Sequence, residues 1–287
     1  MMVIGCMGNR QMARALGCSP STIAHQISRL GRHCLLVQTD ELEEIDRIVE
    51  IVIDGFETFE WSQYFPFHHN LAVDVASSYL LYHTDSPLRR KGRMTTRQKQ
   101  RRSELEAALG RAHPRAVETG VRALLEPLVL LQSHFVLRSD EHRAYPRAVR
   151  ATNGRITHRV TSSRERRDHR NPLWEANRLD LFIRHSTAAH KRETIAFAKR
   201  RQASIEKLAI FQVWRNYVQR RWVKGARVTP AMLIGATSRP WRTKDVLSRR
   251  RFFEKAKMTE CWQAYYRREV QTLALSVNRT HHLTYAF

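Results

Sequence analysis

Ile48-Val49-Glu50-Ile51-Val52-Ile53-Asp54 is the stretch on which the reading of the fold turns. Runs this dense in Ile and Val fit a strand buried on both faces, and this one closes on a carboxylate. Working outward, residues 70–75 and 78–83 are similarly apolar and are separated by a turn near Ala76, which predicts a three-stranded meander. Residues 134–139 form a further short apolar strand, and it too runs into a carboxylate, Asp140. After the turn signal Asn153-Gly154, residues 155–161 read as the last strand. Helical patterns fill the rest: a basic run at 87–102 merging into a helix that ends near Gly110, then 114–131, 145–152, 173–186 and a long segment over 193–222. Shorter helices follow around 243–253 and 260–270. This order predicts an α/β chain with a mixed sheet flanked by helices.

Ahead of the sheet, residues 9–33 read as two helices around a tight turn. Gly17 suits a left-handed helix stop. Ser19 is a good N-cap and Pro20 fits the first helical position. From there to Arg32, Ile23, Ile27 and Leu30 share one face. The opposite face carries Ser21, Thr22, His25, Gln26 and Arg29, groups that reach base edges and phosphates. The pattern predicts a helix-turn-helix domain over 1–38, an acidic linker or short helix near 40–46, an α/β domain over 46–222 and a basic helical region over 223–287.

The charge balance narrows the partners. Lys and Arg number 50 against 27 Asp and Glu, a net charge of +23. So large an excess answers to a polyanion, nucleic acid or an acidic membrane. The apolar segments are too short to span a bilayer, and the first ten residues do not have the make-up of a signal peptide. The four cysteines show no zinc-finger spacing and fit a reducing cytosol. The expectation is a cytoplasmic, nucleoid-associated protein bound to double-stranded DNA and to no membrane.

Asp54 and Asp140 carry the candidate chemistry. Groups at the carboxyl ends of strands gather at one edge of an α/β sheet. Two carboxylates gathered there repel unless a divalent cation lies between them. Paired Mg²⁺ (or Mn²⁺) ions can activate a water or a 3′-hydroxyl toward a phosphodiester without any side-chain nucleophile.

At this point a resemblance enters. Ile53-Asp54-Gly55-Phe56-Glu57-Thr58-Phe59 resembles the first acidic motif of prokaryotic insertion-sequence transposases. Arg138-Ser139-Asp140-Glu141-His142-Arg143-Ala144-Tyr145 resembles the second, an acid followed by a short helix bearing a tyrosine. The preceding helix-turn-helix and the element order β-β-β-α-β-α-β-α are similar to that family as well. The resemblance covers most of residues 9–222. It implies a ribonuclease H-like fold, a three-carboxylate (DDE) site with Asp54 and Asp140 as metal ligands, and an assembly of at least two copies acting on transposon ends and target DNA. Related chains often begin with a cysteine-rich zinc module, which is not found here, so the reading frame resembles one truncated at its N-terminus.

The third ligand has several candidates. Glu175 follows Asp140 by 35 residues, a separation typical of the family, but the basic residue the family places seven positions later is Phe182 here. Asn177 is followed seven residues later by Arg184 and would ligate through a neutral amide oxygen, as in some relatives. At 100° per residue Asn177, Asp180 and Arg184 share a face and Glu175 points nearly opposite. Asp180 and Glu193 are further options. The alternative function is a decayed, non-catalytic DNA-binding protein. Basic sets at 91–102, 190–192 and 199–201 are candidate phosphate contacts. Trp214, Arg215, Asn216 and Tyr217 read as an aromatic-polar patch in which packing is the commoner role.

Overall fold

The computed structural model describes residues 2–45, 47–191 and 194–275. Five strands form one sheet: β1 Glu50–Phe59, β2 Pro66–Asp74, β3 Leu80–Pro87, β4 His134–Ser139 and β5 Arg155–Val160, in the order β3-β2-β1-β4-β5. The β1–β2 and β2–β3 pairs are antiparallel; β1–β4 and β4–β5 are parallel. The sheet is therefore mixed, as the sequence order suggests. The helices are α1 Asn9–Leu16, α2 Pro20–Glu43, α3 Thr96–Leu109, α4 Ala116–Leu131, α5 Ala144–Ala151, α6 Trp174–Ser186, α7 Arg201–Val213, α8 Pro230–Leu233, α9 Thr243–Ser248 and α10 Glu260–Arg267.

Several boundaries differ from expectation, each for a local reason. β1 does not end at Asp54. It continues to Phe59 because β2 stays paired with it as far as Phe59↔Pro66. The meander turn falls at Ala76: Asp74 Oδ2 accepts from both the backbone N–H and the hydroxyl of Ser77, at 2.7 and 2.6 Å, and Ser78 takes φ +63°. The long C-terminal helix starts at Arg201, not 193, and finishes as a π-helical turn over Trp214–Val218.

Alternation along β3 places the layers. His83 shares a hydrogen bond with Gln212 of α7 at 2.9 Å, while its neighbour Thr84 donates to the Gly120 carbonyl of α4 at 2.7 Å. Adjacent strand residues face opposite ways, so α4 covers one face and α7 the other.

The largest departure concerns α2. Gly17 does end α1 with φ +63°, and the Ser19 hydroxyl caps α2 by accepting from Thr22 N–H at 3.1 Å. But α2 does not stop near Arg32. It runs on through the expected linker, and His33 to Thr39 are all buried. A helix apolar or satisfied all round belongs inside a core. Here Gln38 donates to Tyr79 at 2.7 Å and Ser28 donates to Glu206 at 2.9 Å. Met12 and Leu35 at the N-terminal end, Ile51 and Val52 in the sheet, and Trp241 and Trp262 near the C-terminal end all belong to one hydrophobic core. The boundaries drawn at 38 and 222 therefore do not separate cores, and the first falls within a helix.

Gly31 marks how closely α2 meets α7. A Cβ there would lie 2.6 Å from the Glu206 carbonyl oxygen and 2.8 Å from its Cα. Alanine gains about 1 kcal/mol of helix propensity, but overpacking against backbone costs about 1–3 kcal/mol. Gly31→Ala should lower the urea midpoint and Gly31→Val should lower it further; a raised midpoint in both would show that the two helices are not in contact.

Candidate active site

The parallel register fixes the relation of the two acids. β1 and β4 pair as Glu50↔Val136, Ile51↔Leu137 and Val52↔Arg138. Carried forward two places, that register leads from Val52 to Asp54 on β1 and from Arg138 to Asp140, the residue just past the end of β4. Beyond Arg138 the two strands part, and the opening is a cleft of about 260 Å³ lined by both acids. α6 contributes Asn177, Asp180 and Arg184 to its wall; Glu165 and Arg167 come from the segment between β5 and α6. The three α6 residues are spaced i, i+3, i+7, one helix face.

Each group is held locally. Asp54 is half-buried, and its Oδ1 accepts from Gly55 N–H at 2.7 Å. Asp140 Oδ1 accepts from His142 N–H at 2.9 Å, which shapes the turn into α5. Asn177 Nδ2 donates to the Leu173 carbonyl at 3.1 Å, so its oxygen is the end left for a cation. Arg184 lies over the Phe56 ring, 4.3 Å from its centroid, and donates to the carbonyls of Glu57 and His190 at 3.3 Å. His190 is itself buried: it shares a hydrogen bond with Ser204, as does His69, each at 2.8 Å.

Burial pushes the Asp54 carboxyl up, and the Asp140 charge adds to the rise; the Gly55 N–H, His68 and Arg167 oppose it. Tyr145 is buried behind the acids, its phenol pushed well above its usual value by burial first, then by Asp54, Asp140 and Asp180. Glu57 is held low by its hydrogen bond to His68.

Glu175 does not join the cleft. It is buried on the other side of α6, where its carboxylate accepts from Arg178 at 2.7 Å and pairs with Arg221 at 3.7 Å. The helix phase separates it from Asn177. Glu193 and Arg192 lie outside the described residues. On α2, Ser21, Thr22, His25 and Gln26 are exposed and Arg29 is half-buried; the Ser21 and Thr22 hydroxyls hydrogen-bond the Ser19 hydroxyl at 2.8 and 2.9 Å. In the basic run, Arg89 is tied to Glu106 at 2.8 Å while Lys91, Arg93 and Arg97 are exposed. Arg215, Asn216 and Tyr217 are buried, with Tyr217 stacked on Trp241, so that patch is packing. His158 is half-buried and shares a hydrogen bond with Ser139 at 2.8 Å. The cleft residues that the sequence reading passed over are Glu165 and Arg167, inside a run read only as a charged loop.

The cleft lining offers oxygen donors throughout: beside Asp54 and Asp140, α6 brings both the Asp180 carboxylate and the Asn177 amide, and Glu57 and Glu165 lie on the wall. Among the described residues no group of three or more His, Cys, Asp or Glu could hold a metal ion. A set of this kind still fits Mg²⁺, which keeps several waters and takes one or two carboxylates. No protein-family model matches the chain, and no curated protein matches it in sequence. Among the described residues no helix is long and apolar enough to cross a membrane.

The raised Asp54 carboxyl has a sign. Its ionisation disfavours the folded state, so its contribution to stability is complete below the unfolded value of about 3.9 and is lost as pH rises through the folded value. Asp54→Asn removes that loss. In EDTA the variant should melt above wild type at pH 7, with the gap closing toward pH 4. Thermal denaturation across that range checks it, and a lower melting point for the variant at pH 7 would count against the crowding of the two acids.

Proposed function

We propose that this chain is a metal-dependent DNA strand-cleaving and strand-joining enzyme of the insertion-sequence transposase type. The observation that carries the reading is the meeting of Asp54, on β1, and Asp140, just past the end of β4, in one cleft that α6 walls with Asn177, Asp180 and Arg184. The five-stranded sheet, three antiparallel strands followed by two parallel ones, is compatible with the ribonuclease H-like fold that the resemblance implies. An additional helix, α3, stands between the meander and α4.

In this reading Asp54, Asp140 and the Asn177 amide oxygen hold Mg²⁺. Bound there, Mg²⁺ would activate a water or 3′-hydroxyl and stabilise the departing oxygen. The cation would also offset the burial and, after it, the Asp140 repulsion that raise Asp54. Arg167 and Arg184, both lining the cleft, neutralise phosphates flanking the reacting one. The first two turns of α2 present Thr22, His25 and Gln26 to a major groove at the transposon ends, and at least two copies act together on paired ends.

One observation favours a second reading, a DNA-binding protein that has lost catalysis: among the described residues no three acidic or imidazole side chains come together to hold a metal ion, and an amide as third donor offsets less of the cost of dehydrating the cation than a carboxylate does. A Mg²⁺-dependent nicking and joining assay on end-containing DNA separates the two. Asp54→Asn and Asp140→Asn should each lower the rate about 10³-fold, the scale of several kcal/mol of charge stabilisation. Asn177→Asp should reach half-maximal rate at lower Mg²⁺. Cleavage that survives Asp54→Asn would remove the metal-site assignment, and a wild type inert at all Mg²⁺ concentrations would favour the second reading.

Recognition has its own test. Gln26→Ala should weaken binding to the end sequence by about 1–3 kcal/mol, the worth of one base contact, and leave binding to unrelated duplex within about 2-fold of wild type. Equal loss on both DNAs would make Gln26 a phosphate contact rather than a reader.

A further inference from the structure

Residues 219–228, after the π-helical turn, carry Arg220, Arg221, Lys224 and Arg227 and no acidic residue. The base of this loop is closed. Arg221 N–H donates to the Val228 carbonyl at 2.8 Å, and Arg221 Nη1 donates to the Ala76 carbonyl at 2.7 Å. Gly225 turns the tip at φ +97°. From this closed base the loop projects Trp222, 52% exposed, and Val223, 91% exposed. Trp241 and Trp262, by contrast, are buried.

The indole is supported rather than loose. The Arg178 guanidinium lies 4.3 Å from its ring centroid and that of Arg221 lies 5.2 Å away. Beneath it Arg178 and Arg221 share Glu175, and Arg215 adds its charge nearby. Three guanidiniums around one carboxylate leave the platform positive. Arg178 is 7% exposed, and its Nη1 is buried without a hydrogen-bond partner. Among the described residues Arg220, Lys224 and Arg227 make no ion pair.

A half-open indole backed by cations and ringed by uncompensated charge matches one class of ligand. Unpaired nucleic acid offers flat base faces to stack on and phosphates to track; inside a duplex those faces are covered. We propose that the Arg220–Arg227 loop is a second nucleic-acid site for an unpaired strand: Trp222 stacks on a base, and Arg220, Lys224 and Arg227 follow the phosphates. The inference rests on the strand-cleaving function proposed above and deepens it. Arg178 and Glu175 belong to the same turns of α6 whose other side lines the cleft with Asn177. The loop thus stands behind the helix that borders the acids, within reach of single-stranded DNA freed by cleavage.

The full chain in EDTA, with fluorescein-labelled oligothymidylate and end-sequence duplex as probes, tests this. Anisotropy titrations give each Kd at several salt concentrations, and circular dichroism checks the fold of each variant. Trp222→Ala should weaken oligothymidylate binding about 5- to 100-fold at fixed salt, the worth of one base–aromatic stack, without altering the salt slope. Trp222→Phe should restore most of that loss. Lys224→Ala with Arg227→Ala should lower the slope of log K against log salt by about 1.4, or about 0.7 for each phosphate no longer neutralised. Duplex binding should stay within about 2-fold of wild type in the Trp222 variants. An unchanged oligothymidylate Kd in Trp222→Ala overturns the loop proposal alone, provided duplex binding still responds to Gln26→Ala. Binding to neither DNA overturns both proposals. Wild-type binding to phosphatidylserine vesicles but not to oligothymidylate assigns the loop to an acidic membrane surface and overturns its assignment to nucleic acid.

Discussion

Three rungs of parallel pairing between β1 and β4 hold two like charges together. That constraint organises the rest of the site. Neither acid is stabilised by the other: burial first, and then the Asp140 charge, push the Asp54 carboxyl up. The sheet enforces it because Ile51, Val52 and Leu137, beside the acids in sequence, are fully buried and lock the register. A one-residue slip would turn Asp54 into the opposite face and exchange the packing partners of all three. The stability of the core is thus spent in part on keeping two carboxylates adjacent, a local conflict of the sort that proteins retain at functional sites.

Much of this was legible because strands and buried carboxylates leave clear marks. The Ile48–Asp54 run announced a central strand, and the helix phase of α6 already set Asn177, Asp180 and Arg184 apart from Glu175. The misreadings share a cause: local pattern gave no view of what would pack on it. Asp54 looks like a strand end in sequence, but β2 carries β1 five residues further. Residues 40–46 read as an acidic linker or short helix, yet α2 runs on to Glu43, and Asp40 and Glu41 are paired with Arg251, at 2.9 and 3.6 Å, from far along the chain. The Gly and polar content of α2 hid a central helix because Ser28 and Gln38 find their partners, Glu206 and Tyr79, only after folding.

The cleft loop illustrates the opposite limit. Arg164 to Arg170 reads as a solvated charge run, and most of it is exposed. Only the return of the chain from β5 to α6 brings Arg167 into the cleft with Asp54. Spacing in sequence carries no trace of such an approach. The Glu175 ion pair is similar: its partner Arg178 is a local i, i+3 neighbour, but Arg221 arrives from another part of the fold.

The continuity of α2 has a mechanical meaning. Its first turns lie at the surface and its last turns lie in the core that carries β1, with no joint between them. Segments anchored in one core are held in a fixed mutual orientation, so the exposed first turns of α2 are set rigidly relative to the sheet. On the proposed function, the orientation of a duplex held by α2 relative to the acids would be set when the chain folds, and the cutting position would follow from the dimensions of a rigid body instead of the reach of a tether.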